Sequence, residues 1–242
     1  MKKMAENSNI FLESIYLIVS FNRDLMEIIG MSMYVSISAL LIAASVGLPL
    51  GALLATRSFF GSKVISIFVN AFMGMPPVVA GLIIYMLLSR GGPLGLLGLL
   101  YTPSAMIIAQ CILILPIIAA LSRQVIEDAN REYNLLFLSL RIDTFTRIKT
   151  LLIECRFSLI TVLLAGFGRS IAEVGAVMIV GGNIEHSTRT MTTSIQMEIS
   201  KGNLELAMAL GIILLFLSLS INILMNILKT YFQNTNGVSR DE

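Results

Sequence analysis

The chain has 242 residues, 56% of them hydrophobic and 13% charged, with two Cys, no Trp, a formal charge of +2 and a mean hydropathy of +0.85. A soluble domain carries roughly 25% charged residues. Here the apolar residues stand in long charge-free runs, not amphipathic stripes, which excludes a water-soluble enzyme and points to an integral membrane protein. The small, scattered positive charge excludes nucleic acid as a partner, because a phosphate-binding surface needs clustered Lys and Arg.

Residues 10–20 are amphipathic at best, and Glu13, Arg23 and Asp24 would be costly at the bilayer centre. Residues 1–27 are therefore expected to form an interfacial helix, with a sixth span as the alternative. They lack the compact apolar core and small-residue cleavage site of a removable signal peptide. Five charge-poor runs follow: Ile28 to Thr56, Val64 to Ser89, Gly91 to Ser122, Phe157 to Gly168 continuing past Arg169 and Glu173 to Ile184, and Leu206 to Leu228. Each exceeds the roughly 20 helical residues, at about 1.5 Å apiece, that cross a hydrocarbon core. The third opens on a breaker-rich loop, Gly91 to Gly98, so its helix is predicted to begin near Thr102-Pro103. The second contains Pro76 and Pro77, where a helix must kink or break; such a break either lines a pathway or is a static kink. The expectation is five core spans within residues 28–232 and a disordered tail over 233–242.

Five spans place the chain ends on opposite sides of the membrane. With the Arg123 to Arg156 connection inside, the cytoplasmic side holds ten Lys and Arg and the outer side six, the orientation that the positive-inside rule favours; the C-terminus is then cytoplasmic. The 123–156 connection carries six basic and five acidic residues among Leu, Ile and Phe. It reads as short amphipathic helices at the cytoplasmic face, built for a partner or else a solvated loop, and its length favours structure of its own. The second polar segment, 182–204, is rich in hydroxyls, including Thr192 and Thr193, and lies outside.

Catalytic chemistry is scarce. A single His, His186, cannot build a paired-His zinc motif, and in a polar loop it reads as ordinary surface. Cys111 and Cys155 have neither metal-site nor disulfide spacing and read as packing residues. Gly61-Ser62-Lys63 resembles the end of a P-loop, but Thr56 stands where the first Gly belongs and Val64 where Ser or Thr belongs, so no ATP site and no cofactor or metal site is expected. Inside the membrane stand Arg169 and Glu173. Four positions apart, they would share one helical face, either as a self-neutralising packing pair or as part of a pathway. Gly166, Gly168, Ala172, Gly175 and Ala176 around them permit close helix approach.

In their order, Gly47-Leu48-Pro49-Leu50-Gly51, Gly74-Met75-Pro76-Pro77-Val78-Val79-Ala80-Gly81, Gly91-Gly92-Pro93-Leu94-Gly95 and Gly166 to Ala176 resemble the membrane subunit of a type I ATP-binding-cassette importer, within the oxyanion permeases for tungstate, molybdate and sulfate. The stretch Val177 to Ile184, with Thr188 to Thr193 and Ser200-Lys201-Gly202, is most similar to the tungstate branch. The resemblance implies an all-α polytopic helix bundle in the cell membrane of a prokaryote, surrounded by lipid. It also implies a pathway formed with a second copy of the chain, a separate ATPase subunit on the cytoplasmic face and an extracytoplasmic oxyanion-binding protein.

That resemblance makes 123–156 the coupling region. Its E-A-A-x-x-x-G signature falls on Leu135-Leu136-Phe137-Leu138-Ser139-Leu140-Arg141, where the acidic and alanine positions have become apolar. Arg141 replaces the Gly of the turn, and cannot take φ > 0 as cheaply. An ATPase groove more apolar than usual, accepting Leu136 and Phe137, is the expectation. Pro76, Pro77, Arg169, Glu173, Thr192 and Thr193 are the candidate pathway or gate residues, with Arg169 a transient anion contact and the hydroxyls weak oxyanion ligands. Leu135, Leu136, Phe137, Leu140 and Arg141 are the candidate ATPase contacts. The alternatives are a molybdate or sulfate permease and, from a different class, an ion-gradient-driven carrier, which would want more intramembrane acids than Glu173.

Overall fold

The computed structural model describes residues 13–20, 22–57 and 59–237, and among them there is no strand. A short helix α1 covers 13–19. Ten more follow: α2 (Arg23–Thr56), α3 (Ser62–Met73), α4 (Pro77–Leu88), α5 (Pro103–Glu132), α6 (Asn134–Ser139), α7 (Thr144–Glu154), α8 (Arg156–Ile171), α9 (Gly175–Gly181), α10 (Met191–Lys201) and α11 (Leu204–Gly237). A 3₁₀ turn occupies Gly95–Leu97. Among the described residues, three helices are long and apolar enough to cross a membrane: α2, α5 and the Leu204–Leu228 part of α11. Counting α3 with α4 and α7 with α8 as bent spans brings the number to five.

Several boundaries differ from those read in the sequence. The first long helix starts at Arg23, so residues 23–27 belong to it and not to the N-terminal helix; residues 1–12 lie outside the described residues. The second run breaks at Gly74–Pro76, and Pro77 takes the first position of α4, where its missing N–H has no helical partner to lose. The fourth run is not one helix. It ends at Ile171, and α9 begins only at Gly175. The last helix continues to Gly237, so residues 233–237 are helical where a disordered tail was expected, and 238–242 lie outside the described residues.

The chain divides into two compact units. One comprises Met1–Ser38, Pro76–Gln110 and Ile171–Ser220. In it α4 packs on α9, and the contact is backbone-close: a Cβ added at Gly81 would stand 2.7 Å from Ala176 Cα. The Ser32 hydroxyl accepts the Met191 N–H at 2.7 Å and donates to the Ile28 carbonyl at 2.9 Å, fastening the start of α10 to α2.

The other unit comprises Ala39–Met75, Cys111–Ser170 and Ile221–Glu242. Here α2 and α5 are joined by Cys111 Sγ donating to Ala39 O (3.4 Å) and Asn130 Nδ2 donating to Ala55 O (3.1 Å). A core of Ala52, Ile126, Phe137, Leu151, Cys155 and Leu159 lies where α2, α5, α6, α7 and α8 meet. Both cysteines are free, and their places fit the packing role expected of them.

Candidate coupling and translocation sites

The 123–156 segment is built from the end of α5, the single-turn-and-a-half α6, and α7, which is bent by 73° from α8 at Cys155. Its turn has a named chemistry. Asp143 caps α7, its carboxylate accepting the N–H groups of Phe145 (3.0 Å) and Thr146 (3.1 Å) and the Thr146 hydroxyl (2.5 Å). Those donors, the Thr146 hydroxyl first, hold its carboxyl below the usual carboxylate range. Arg147 locks the arrangement: Nε donates to Asn130 Oδ1 at 2.6 Å, Nη2 to Asn134 Oδ1 at 2.8 Å, and the guanidinium lies 5.1 Å from the Phe137 ring centroid. One side chain thus ties α7 to both α5 and α6.

Arg141 adopts φ +50. Its N–H donates to Leu138 O (3.2 Å) and the Ile142 N–H donates to Phe137 O (3.1 Å), the bond pattern in which the residue after the helix cap is normally Gly. The turn keeps the glycine backbone without the glycine. Phe137 requires a correction. It is 5% exposed and belongs to the core beneath α6, so it is not available to a partner, whereas Leu135, Leu136, Leu138 and Leu140 are 51–80% exposed. In a six-residue helix the inward position is taken by the largest ring, which the Arg147 guanidinium then covers.

Of the candidate pathway residues in the first unit, Glu173 and Thr192 meet in the gap before α9. Glu173 is buried in that gap, and its Oε1 accepts the Ala176 N–H at 3.2 Å, placing negative charge at the start of α9. Its backbone carbonyl accepts the Thr192 hydroxyl at 2.8 Å. Pro77 is brought close through Val78, whose Cγ2 would stand 2.8 Å from a Cβ at Gly175. Arg169 lies in α8, and Glu173 follows the end of that helix at Ile171.

The hydroxyls also differ from expectation. Thr188, Thr190, Thr192, Thr193 and Ser194 are all buried. Thr188 donates to Gly181 O (2.6 Å) and accepts from Ile184 N (2.9 Å). Thr193 donates to Asn183 Oδ1 (2.8 Å) and accepts from Thr190 N (3.0 Å). Thr188 and Thr193 thus satisfy polar groups of a loop that has no ladder of its own, while the buried Ser194 hydroxyl has no hydrogen-bond partner among the described residues. His186, at φ +57 on the loop surface, brings Nδ1 to 2.9 Å from Glu27 Oε2. The Glu27 carboxylate holds its imidazole above the usual range. Asp24, Glu27 and His186 have donor atoms within 4.8 Å of one another and could hold a metal ion; all three are exposed. The grouping is not legible in the sequence because His186 stands over 150 positions from Asp24 and Glu27.

Residues 47–234 match the family described as the binding-protein-dependent transport system inner membrane component. A probable anion ABC transporter permease protein of Haloferax volcanii is 42% identical over 206 residues, 83% of this chain and 88% of its own. The tungstate uptake system permease protein TupB of Peptoclostridium acidaminophilum is 40% identical over 212 residues, covering 88% and 93%. Its namesake from Campylobacter jejuni is 41% identical over 167 residues, covering 69% and 70%. With the family match spanning most of its length and helices that can cross a bilayer, the chain is a multi-pass membrane protein that belongs to the binding-protein-dependent transport system inner membrane components.

Proposed function

We propose that this chain is the membrane-spanning permease subunit of an ATP-driven tungstate importer. It works with a second copy of itself, a cytoplasmic ATPase subunit and an extracytoplasmic anion-binding protein. The observation that carries the reading is its 40% identity, over 88% of its length, to a protein named as a tungstate uptake permease. In this scheme the binding protein delivers the anion at the outer face, ATP binding and hydrolysis move the 123–156 segment, and the membrane helices alternate access. The pathway itself needs no tight site, since an ion must leave as readily as it enters.

Coupling is assigned to the exposed leucines of α6, docking in an apolar cleft of the ATPase, with Phe137 as their internal support. Arg147, which grips α5, α6 and α7 together, supports transmission of motion as one piece. Glu173, Thr192, Thr193, Pro76 and Pro77 are assigned to the framework of the gate, and Arg169 to transient anion contact. An ion-gradient-driven carrier has no support from a family defined by its dependence on a binding protein.

The test is ATP hydrolysis by the purified complex: tungstate-loaded binding protein should accelerate it, and uptake should be competed by tungstate at lower concentration than by molybdate. Equal competition would leave the importer and remove the tungstate assignment. Leu136→Ala combined with Leu140→Ala should weaken ATPase association at unchanged thermal stability, whereas Phe137→Ala should destabilise by about 3–4 kcal/mol, as for a buried ring. Arg169→Gln should slow uptake in an intact assembly; unchanged uptake would remove its role as an anion contact.

A further inference from the structure

Between Arg90 and Arg123 the sequence has no charged residue, yet residues 91–102 form a connection and not a span. That connection folds back on the helix it leaves. The Leu94 N–H donates to Leu87 O at 2.9 Å, and the turn continues through Gly95 N to Gly92 O (3.1 Å), Leu97 N to Leu94 O (3.1 Å) and Gly98 N to Gly95 O (3.2 Å). Gly92 and Gly95 make the fold-back possible. A Cβ at Gly92 would run into the Met86 carbonyl and stand 2.6 Å from that of Leu87, and one at Gly95 would run into the Ser89 carbonyl. The loop therefore lies beside the last turn of α4, at the level of residues 86–89, and occupies a carbonyl that the helix end leaves without a helical donor.

The three leucines held in this rigid turn point away from the protein: Leu94 is 45% exposed, Leu97 59% and Leu96 fully so. They continue an apolar face of α4 on which Val78, Val79, Leu82, Ile83, Met86 and Leu87 are 39–63% exposed. Tyr85 and Tyr101 bracket the turn, their rings edge-on with centroids 6.4 Å apart, and tyrosine marks the membrane–water boundary. Exposed Arg90 supplies a charge at the same helix end, where a long basic side chain can reach the headgroups.

We propose that residues 91–98 form a preshaped lipid wedge, with Leu94, Leu96 and Leu97 inserted at the acyl-chain boundary of the bilayer leaflet where α4 ends. Lipid is the occupant because the exposed apolar side chains of the turn follow directly on those of α4, and because a tyrosine pair and an arginine mark its depth. The inference depends on the chain being a membrane protein and not on the transported ion.

The absence of tryptophan from the sequence gives a direct test. Full-length Leu96→Trp protein, reconstituted in phosphatidylcholine–phosphatidylglycerol vesicles, should emit with a blue-shifted maximum. It should lose much of its intensity when the acyl chains are brominated near the headgroup and little in the presence of iodide. Red-shifted emission quenched by iodide would place the turn in water and overturn the proposal. Blue-shifted emission insensitive to both quenchers, with binding protein or a second copy bound, would mean that protein covers the turn and would overturn it equally. Leu97→Trp should give the same pattern; if only one of the two sites contacts lipid, the turn is not a wedge.

Discussion

At position 141 a glycine backbone carries an arginine. For an L-residue the left-handed region costs about 1–2 kcal/mol, and glycine gives back about half of that through its unfolded-state freedom. Arg141→Gly is therefore expected to stabilise the protein by about 0.5–1 kcal/mol, read as a raised thermal midpoint in detergent. A lowered midpoint would mean that the Arg141 side chain contributes more than its backbone costs. A second residue-scale device is the His186–Glu27 contact between the 182–190 loop and the first turn of α2. The imidazole faces Glu27 foremost, then Glu185 and Asp24, and is held above its ordinary 6.5; Arg189 is engaged by Glu185 at 2.9 Å. A raised folded-state value means that the pair contributes fully below pH 6.5 and that its contribution is lost as pH rises through the raised value. Proteolysis or hydrogen exchange in residues 182–190 should accelerate beyond the intrinsic rate as pH rises above 6.5 and through the raised value. Glu27→Gln should remove that extra pH dependence. If it does not, the loop is held by Thr188 and Thr193 alone.

The elements show what kind of information each break draws on. The interruption at Gly74–Pro76 was legible because proline lacks the donor an interior helical position needs. The start of α5 at Pro103 was legible for the same reason in reverse. The gap after Ile171 was not, since Ala172-Glu173-Val174 contains no breaker; it exists because the Glu173 carboxylate captures the Ala176 N–H and Thr192 captures the Glu173 carbonyl from nineteen positions away. A local signal did exist: an acidic residue two places before a Gly-Ala helix start. Burial of the hydroxyl-rich loop and of Phe137 was likewise tertiary, decided by which backbone groups and which ring needed cover. The α4–α9 contact gives the element-scale prediction. At Gly81 the obstruction is the Ala176 backbone, which cannot move aside as a side-chain tip can. Gly81→Val should cost about 1–3 kcal/mol by overpacking. Gly211→Ala in α11, where nothing stands within 4 Å of an added Cβ, should gain up to about 1 kcal/mol of helix propensity. Thermal midpoints of the two variants in the same detergent should move in opposite directions, and a Gly81 variant as stable as the parent would show that α9 can shift freely.

For the whole molecule, orientation depends on a charge asymmetry of ten basic residues against six, which is moderate, and on the number of crossings between its two polar segments. Residues 144–154 and 191–201 are both helical, and between them stand α8, sixteen residues long, and the seven residues of α9 beyond the gap. If α8 crosses, with the bend at Cys155 turning the chain from the membrane surface into the bilayer, the two segments lie on opposite sides. If it only enters and returns, they lie on the same side and the five-span count fails. Thr150→Cys and Gln196→Cys place reporters at exposed positions of α7 and α10. The native thiols do not compete strongly, since Cys155 is buried and Cys111 half-buried. A membrane-impermeant maleimide added to intact cells should label Gln196→Cys and leave Thr150→Cys unlabelled until the membrane is permeabilised. The reverse pattern would invert the protein and put the exposed leucines of α6 out of reach of a cytoplasmic ATPase. Labelling of both from one side would place α7 and α10 on the same face and reduce the number of crossings, and the charge balance sets orientation only after the count of spans is fixed.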